Sequence, residues 1–148
     1  MPREGVASGS QTSSDHDLSQ DLVLLYHGMG QIEKGLAEIE VAEFQAAQSN
    51  ALWCMPEVLR VKGELLVRHG GVKDAEVEQC FLQSIDWARR QKALSWELRT
   101  SISLAGFWRD RDRAAEASQL LSRVYRRFTE SFETTDLQNA KALLDALR

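Results

Sequence analysis

The sequence predicts an all-α fold, a right-handed helical-repeat array of about three helix pairs closed by a C-terminal capping helix. Three observations lead there. The 148 residues hold only two prolines and are rich in Ala, Leu, Glu, Gln and Arg, side chains that lose little freedom in a helix. Apolar residues recur at three and four positions in segment after segment, and no alternating β-branched run lasts long enough for a strand. A pattern of large, small and aromatic residues also returns along the chain, as repeat architectures require. The apolar share of 43% is that of an ordinary globular chain.

Residues 1–15 are rich in Gly, Ser, Thr and Gln with almost nothing to bury, so they read as a disordered tail before one domain over residues 16–148. Ser14 or Asp15 caps a first helix bearing Leu18, Leu22, Leu25, Tyr26 and Met29, which Gly28 and Gly30 end. A second helix, about 32–48, carries Ile32, Leu36, Ile39 and Phe44, with Gly35 embedded where two helices approach closely. Asn50 breaks the pattern, and Pro56 suits the first turn of a third helix that runs to His69, where Gly70 and Gly71 supply positive φ angles. Its stripe is Leu59, Gly63, Leu66 and Val67. A fourth helix, about 73–92, presents Val77, Phe81, Ile85 and Ala88, and a fifth, about 95–110, presents Leu98, Ile102, Leu104, Ala105 and Trp108. The sixth, about 113–132, presents Ala117, Leu121, Val124 and Phe128. Thr135 or Asp136 caps a short last helix with Leu137, Ala140, Leu143, Leu144 and Leu147, whose polar face suits a cap.

Leu104, Ala105, Trp108, Ala117, Leu121 and Val124 fall at the spacing of the tetratricopeptide unit, in which small residues let two helices approach and large ones fill the neighbouring groove. Leu22, Val23, Tyr26, Gly35, Ile39 and Ala42 repeat those increments. The middle unit, with Gly63, Leu66, Phe81 and Ser84, fits with about two residues added near Gly70, and Lys62 stands where the family has an apolar residue.

The strings WCMPEVLRVKGELL (53–66), ARRQKALSWELRTSISLAGFWRDRDRAAEASQLLSRVY (88–125) and RFTESFETTDLQNAKALLDAL (127–147) resemble the C-terminal tetratricopeptide-repeat (TPR)-like region of bacterial multidomain proteins. In those proteins the region follows an adenylate or guanylate cyclase domain, or a transcriptional-activator domain, and an ATPase module. The resemblance spans about residues 20–147, with departures at Gly106 and Ser131. It implies a regulatory or scaffold segment of bacterial signalling, or an accessory subunit acting in trans on a nucleotide cyclase, ATPase or transcription regulator. It carries no activity across, because the catalytic residues of such proteins lie in other domains.

The net charge of −4 argues for solubility and against general nucleic-acid affinity. Its distribution is polarised: acids dominate residues 1–57 and arginines residues 86–127. This gradient is compatible with head-to-tail self-association, or with two ordinary solvated faces. No apolar run approaches the ~18 residues of a membrane span and no targeting core is present, so the cytoplasm is the expected compartment.

The expected function is a non-enzymatic protein–protein interaction module, with no catalytic, cofactor or metal residues. Cys54 and Cys80 lack a CxxC spacing, and His16, His27 and His69 share no ligand pattern. No phosphate loop or nucleophile elbow occurs. The partner groove of a repeat array is lined by recurring first-helix positions, here Gln20, Leu24 and His27, then Arg60, Glu64 and Val67, then Arg99, Ile102 and Arg109. Arg60, Arg99 and Arg109 either fork onto a partner's carboxylates or pair with neighbouring acids. Trp108 reads as core, and Trp53 or Trp96 as an exposed interface anchor. A protein or peptide partner is expected, with a homodimer as an alternative at the N-terminal end.

Overall fold

The computed structural model describes residues 32–130 and 132–148. Within them lie six α-helices: α1 (Ile32–Gln48), α2 (Met55–His69), α3 (Asp74–Arg90), α4 (Leu94–Arg109), α5 (Ala114–Tyr125) and α6 (Thr135–Ala146). A 3-10 turn at Leu52–Cys54 precedes α2, and the described residues hold no strand. The all-α expectation is met. The expected tail and first helix, with Gln20, Leu24 and His27, lie outside the described residues.

Each helix packs on the next in the chain. In addition α2 touches α4 and α4 touches α6, whereas α1, α3 and α5 do not meet one another. The helices therefore form two rows, with α2, α4 and α6 side by side in one of them. The main core joins Val77, Phe81 and Ile85 of α3 to Leu98, Leu104, Phe107 and Trp108 of α4, Ala117, Leu121 and Val124 of α5, and Leu137 and Ala140 of α6. Two smaller clusters hold α1: Ile39 with Val61 and Leu65, and Ala46 with Met55 and Leu59. Val61 and Leu65 lie off the stripe expected for their helix, because α2 covers a neighbour on each side.

The helix ends follow local chemistry. Pro56 sits in the first turn of α2, where its missing N–H removes no helical bond. Gly70 closes that helix at φ 78°, and it alone of the two adjacent glycines adopts a positive φ. Asn50, Lys92 and Asp112 take φ 61°, 57° and 61° in the links after α1, α3 and α4. In each link the following amide reaches back five residues: Ala51 to Ala46 at 2.9 Å, Ala93 to Ala88 at 2.8 Å, Arg113 to Trp108 at 2.9 Å. This left-handed stop satisfies carbonyls that the helix ends leave free.

Two boundaries differ from the sequence expectation. The helix expected over 113–132 ends at Tyr125, where Arg127 and Phe128 bond back only three residues, to Val124 and Tyr125. That tighter turn lets Phe128 pack against the core and Arg127 reach Glu97. The last helix is capped by Thr134, not by Thr135 or Asp136: its hydroxyl accepts from the Leu137 amide at 3.4 Å.

Gly63 sets the approach of α2 to α3. A Cβ added there would lie 2.6 Å from Phe81 Cε1. Gly63→Ala is expected to destabilise the protein by about 1–3 kcal/mol through overpacking, read as a fall in the thermal midpoint. Combining it with Phe81→Leu should recover part of the loss, and unchanged melting of the single variant would contradict the close approach.

Candidate functional site

All six described groove positions converge. Arg60, Glu64 and Val67 of α2 and Arg99, Ile102 and Arg109 of α4 line one open cleft of about 650 Å³. The cleft is completed by Arg68, Phe81, Ser103, Gly106 and Phe107, and by Asp136, Asn139 and Leu143 of α6. The row formed by α2, α4 and α6 is what brings residues some 80 positions apart in the chain onto one surface.

The charges on its floor are already engaged. Arg60 is only 3% exposed, and its Nε and Nη2 donate to the two oxygens of Glu57 at 2.7 and 3.2 Å. Arg99 donates from Nη1 to Glu57 at 3.4 Å, and from Nη2 and Nε to Asp136 at 3.1 and 3.3 Å. Glu57 thus links α2 to α4, and Arg99 carries the link on to α6. Beside it Glu64 accepts from Arg68 at 3.2 Å and from the Ser103 hydroxyl at 2.8 Å. Below the floor the Ser84 hydroxyl donates to the Pro56 carbonyl at 2.6 Å and lies 2.8 Å from Thr100 Oγ1.

Of the two alternatives for the arginines, Arg60 and Arg99 follow the second. A guanidinium fork filled by an intramolecular carboxylate has few N–H groups left for a partner. Arg109 differs, since it is exposed at the rim and among the described residues bonds only to the adjacent Asp110 at 3.2 Å. Val67, Ile102, Phe107 and Leu143 supply apolar wall between these polar groups. The arrangement can hold a chain with both charged and apolar side chains, gripped at the rim rather than through the floor.

Glu57, Asp136 and Asn139 are not among the cleft positions expected from the sequence, where Asp136 reads as a cap of the last helix and Asn139 as part of that helix's polar face. Glu57 has one local signal, its spacing of three from Arg60 on a helix. Asp136 and Asn139 have none, because their role exists only once α6 lies against α4.

The other candidates are placed as follows. Trp108 is buried, and its Nε1 donates to Glu78 at 2.9 Å, as a core indole requires. Trp53 is 59% exposed and touches Trp96, ring centroids 6.3 Å apart. His69 Nε2 lies 3.5 Å from Glu33. Lys62 resolves its departure from the repeat pattern by extending its ammonium to Glu43 at 3.1 Å, and that hydrogen bond helps hold its pKa above the ordinary value against the effect of burial. Among the described residues no group of three His, Cys, Asp or Glu is placed to hold a metal ion. Burial raises the thiol pKa of both Cys54 and Cys80. Comparison of the chain with family models, with curated proteins and with solved structures finds no match.

Two expectations follow. Glu57→Gln leaves buried Arg60 with only the more distant carboxylate of Glu64, at 3.7 Å, and should cost about 3 kcal/mol, read from the urea midpoint; the double change Glu57→Leu with Arg60→Met should recover most of it. Because a raised thiol pKa lowers the thiolate fraction, Cys54 and Cys80 should resist iodoacetamide at pH 7.5 until urea unfolds the chain. Intact-mass analysis checks this, and full labelling of Cys80 in the native protein would contradict it.

Proposed function

We propose that this chain is a protein–protein interaction module without enzymatic activity, a TPR-like helical-repeat domain that takes a peptide or helix into the cleft between α2, α4 and α6. The observation that carries the reading is the convergence on one open cleft of six positions chosen by repeat spacing alone. Further support comes from the two-row packing and from the burial of Leu104, Ala105, Trp108, Ala117, Leu121 and Val124, the residues that give the repeat its spacing. The resemblance of the three quoted strings extends the proposal to a regulatory or scaffold segment of bacterial signalling proteins.

The mixed lining sets the class of ligand. Arg109 offers donors for a carboxylate, Asn139 offers one donor and one acceptor face for a peptide backbone, and Val67, Ile102 and Leu143 accept an apolar side chain. Because the floor is built from internal ion pairs, affinity rests on the rim and on apolar burial. Rim charges act on association rate more than on dissociation.

Selection from a displayed peptide library tests the proposal. The wild-type protein should enrich a shared motif with an acidic and an apolar position. Arg109→Glu and Asn139→Ala, both at exposed positions of the cleft, should each weaken the selected peptide by about tenfold or more. Enrichment of no motif, or a motif indifferent to both variants, would overturn it.

A further inference from the structure

A second surface lies where α1 and α3 end and where α2 and α4 begin. Gln91 Nε2 donates to the Leu52 carbonyl at 2.7 Å and fixes the 3-10 turn against the end of α3. The rings of Trp53 and Trp96 meet across this contact. With Gln91 and Ala93 they line an open, largely carbon-walled hollow of about 420 Å³. An indole left this exposed is unusual unless something covers it.

The surroundings of the hollow are basic. Arg89, Arg90 and Lys92 lie at the end of α3, and Arg127 follows α5. Glu97 is 1% exposed and is shared by Arg89 at 2.8 Å and Arg127 at 3.0 Å. Asp86 pairs with Arg90. Three of these cations thus share two carboxylates that are already engaged, and Lys92 has no ion pair among the described residues.

The outer face of α1 has the opposite character. Glu33, Glu40 and Phe44 share one stripe at steps of seven and four residues, exposed Val41 lies beside it, and Phe44 is 65% exposed. The helix carries four glutamates and a single lysine, Lys34. Phe44 stands one turn before the C-terminal end of α1, so it lies toward the same end of the molecule as the tryptophan hollow.

We propose that this surface pairs with a second copy of the chain. The two copies are related by a twofold axis, with Phe44 of each seated in the tryptophan hollow of the other, and with the α1 carboxylates facing Arg90 and Lys92. Charge complementarity identifies the occupant, since the acidic face of α1 is what the basic rim of the hollow attracts, and both are carried by one chain. Closure follows from placement. Because anchor and hollow lie toward one end of the molecule, a single twofold axis makes the contact twice and leaves no free copy of it. The cleft between α2, α4 and α6 takes no part.

Sedimentation equilibrium of the full chain from about 5 to about 500 μM tests the pairing. At low salt the mass should rise from 16.7 kDa toward twice that value, and added salt should reverse the rise. Trp53→Ala and Phe44→Ala, both at exposed positions, should each weaken association by about tenfold or more. Glu40→Arg and Arg90→Glu should each weaken it, and the two together should restore it. Circular dichroism melts of the same variants separate lost association from lost folding. A constant mass of 16.7 kDa would overturn the proposal, also where Trp53 is shielded from acrylamide quenching, which would assign the cover to another part of the same chain. Association that Trp53→Ala and Phe44→Ala leave unchanged would overturn it equally.

Discussion

Glu57 carries its charge where 8% of the residue meets solvent, a position that costs several kcal/mol unless the charge is matched. The match comes from two directions. Arg60, three residues on, closes a fork on it from the same helix, and Arg99, 42 residues away, reaches it from α4. Arg99 then turns to Asp136 at the start of α6. One chain of carboxylate and guanidinium groups therefore runs across three helices and adds directional bonds to their shared apolar core. Apolar packing tolerates small translations, but a paired fork does not. The main core decides that α3, α4, α5 and α6 come together, and the Glu57 network decides the register in which α2, α4 and α6 present their outer faces.

That division explains why the cleft is polar at its floor and mixed at its rim. A floor of satisfied ion pairs keeps its shape without a ligand, so little side-chain freedom is lost on binding there. Two exposed groups of the cleft, Arg109 and Asn139, stand on the C-terminal half of α4 and on α6, beyond the network. Ser84 and Thr100 extend the same principle inward. These small hydroxyl residues allow α2, α3 and α4 to approach closely while their hydroxyls remain bonded to the Pro56 carbonyl and to each other.

Much of the fold could be read from the chain because repeated packing leaves a periodic record. Leu104, Ala105, Trp108, Ala117, Leu121 and Val124 are all buried, and α2, α3 and α4 begin and end within two residues of expectation. The misreadings share a cause. Phe128 continues the apolar period of α5 by four residues from Val124, yet it packs from a turn, because Glu97 draws Arg127 toward α4. Arg60 has the sequence context of any solvated helical arginine, yet tertiary packing leaves it 3% exposed. The cleft positions themselves were accessible through spacing on one helix at a time. Of their ion-pair partners, Glu57 has a local signal in its spacing of three from Arg60, whereas Asp136 reads only as a helix cap until α6 lies against α4.

The unequal division of the core has a consequence for how the molecule opens. Side chains of α3, α4, α5 and α6 share one continuous cluster, whereas α1 is held by two small ones on the flank of α2. Unfolding α1 exposes little apolar surface and leaves the ion-pair network untouched, so this helix behaves as a separate cooperative unit with a lower opening free energy than the rest. Among the described helices, amide hydrogens then record a gradient of exchange rates, fastest in α1 and slowest where α4 is enclosed by α3, α5 and α6.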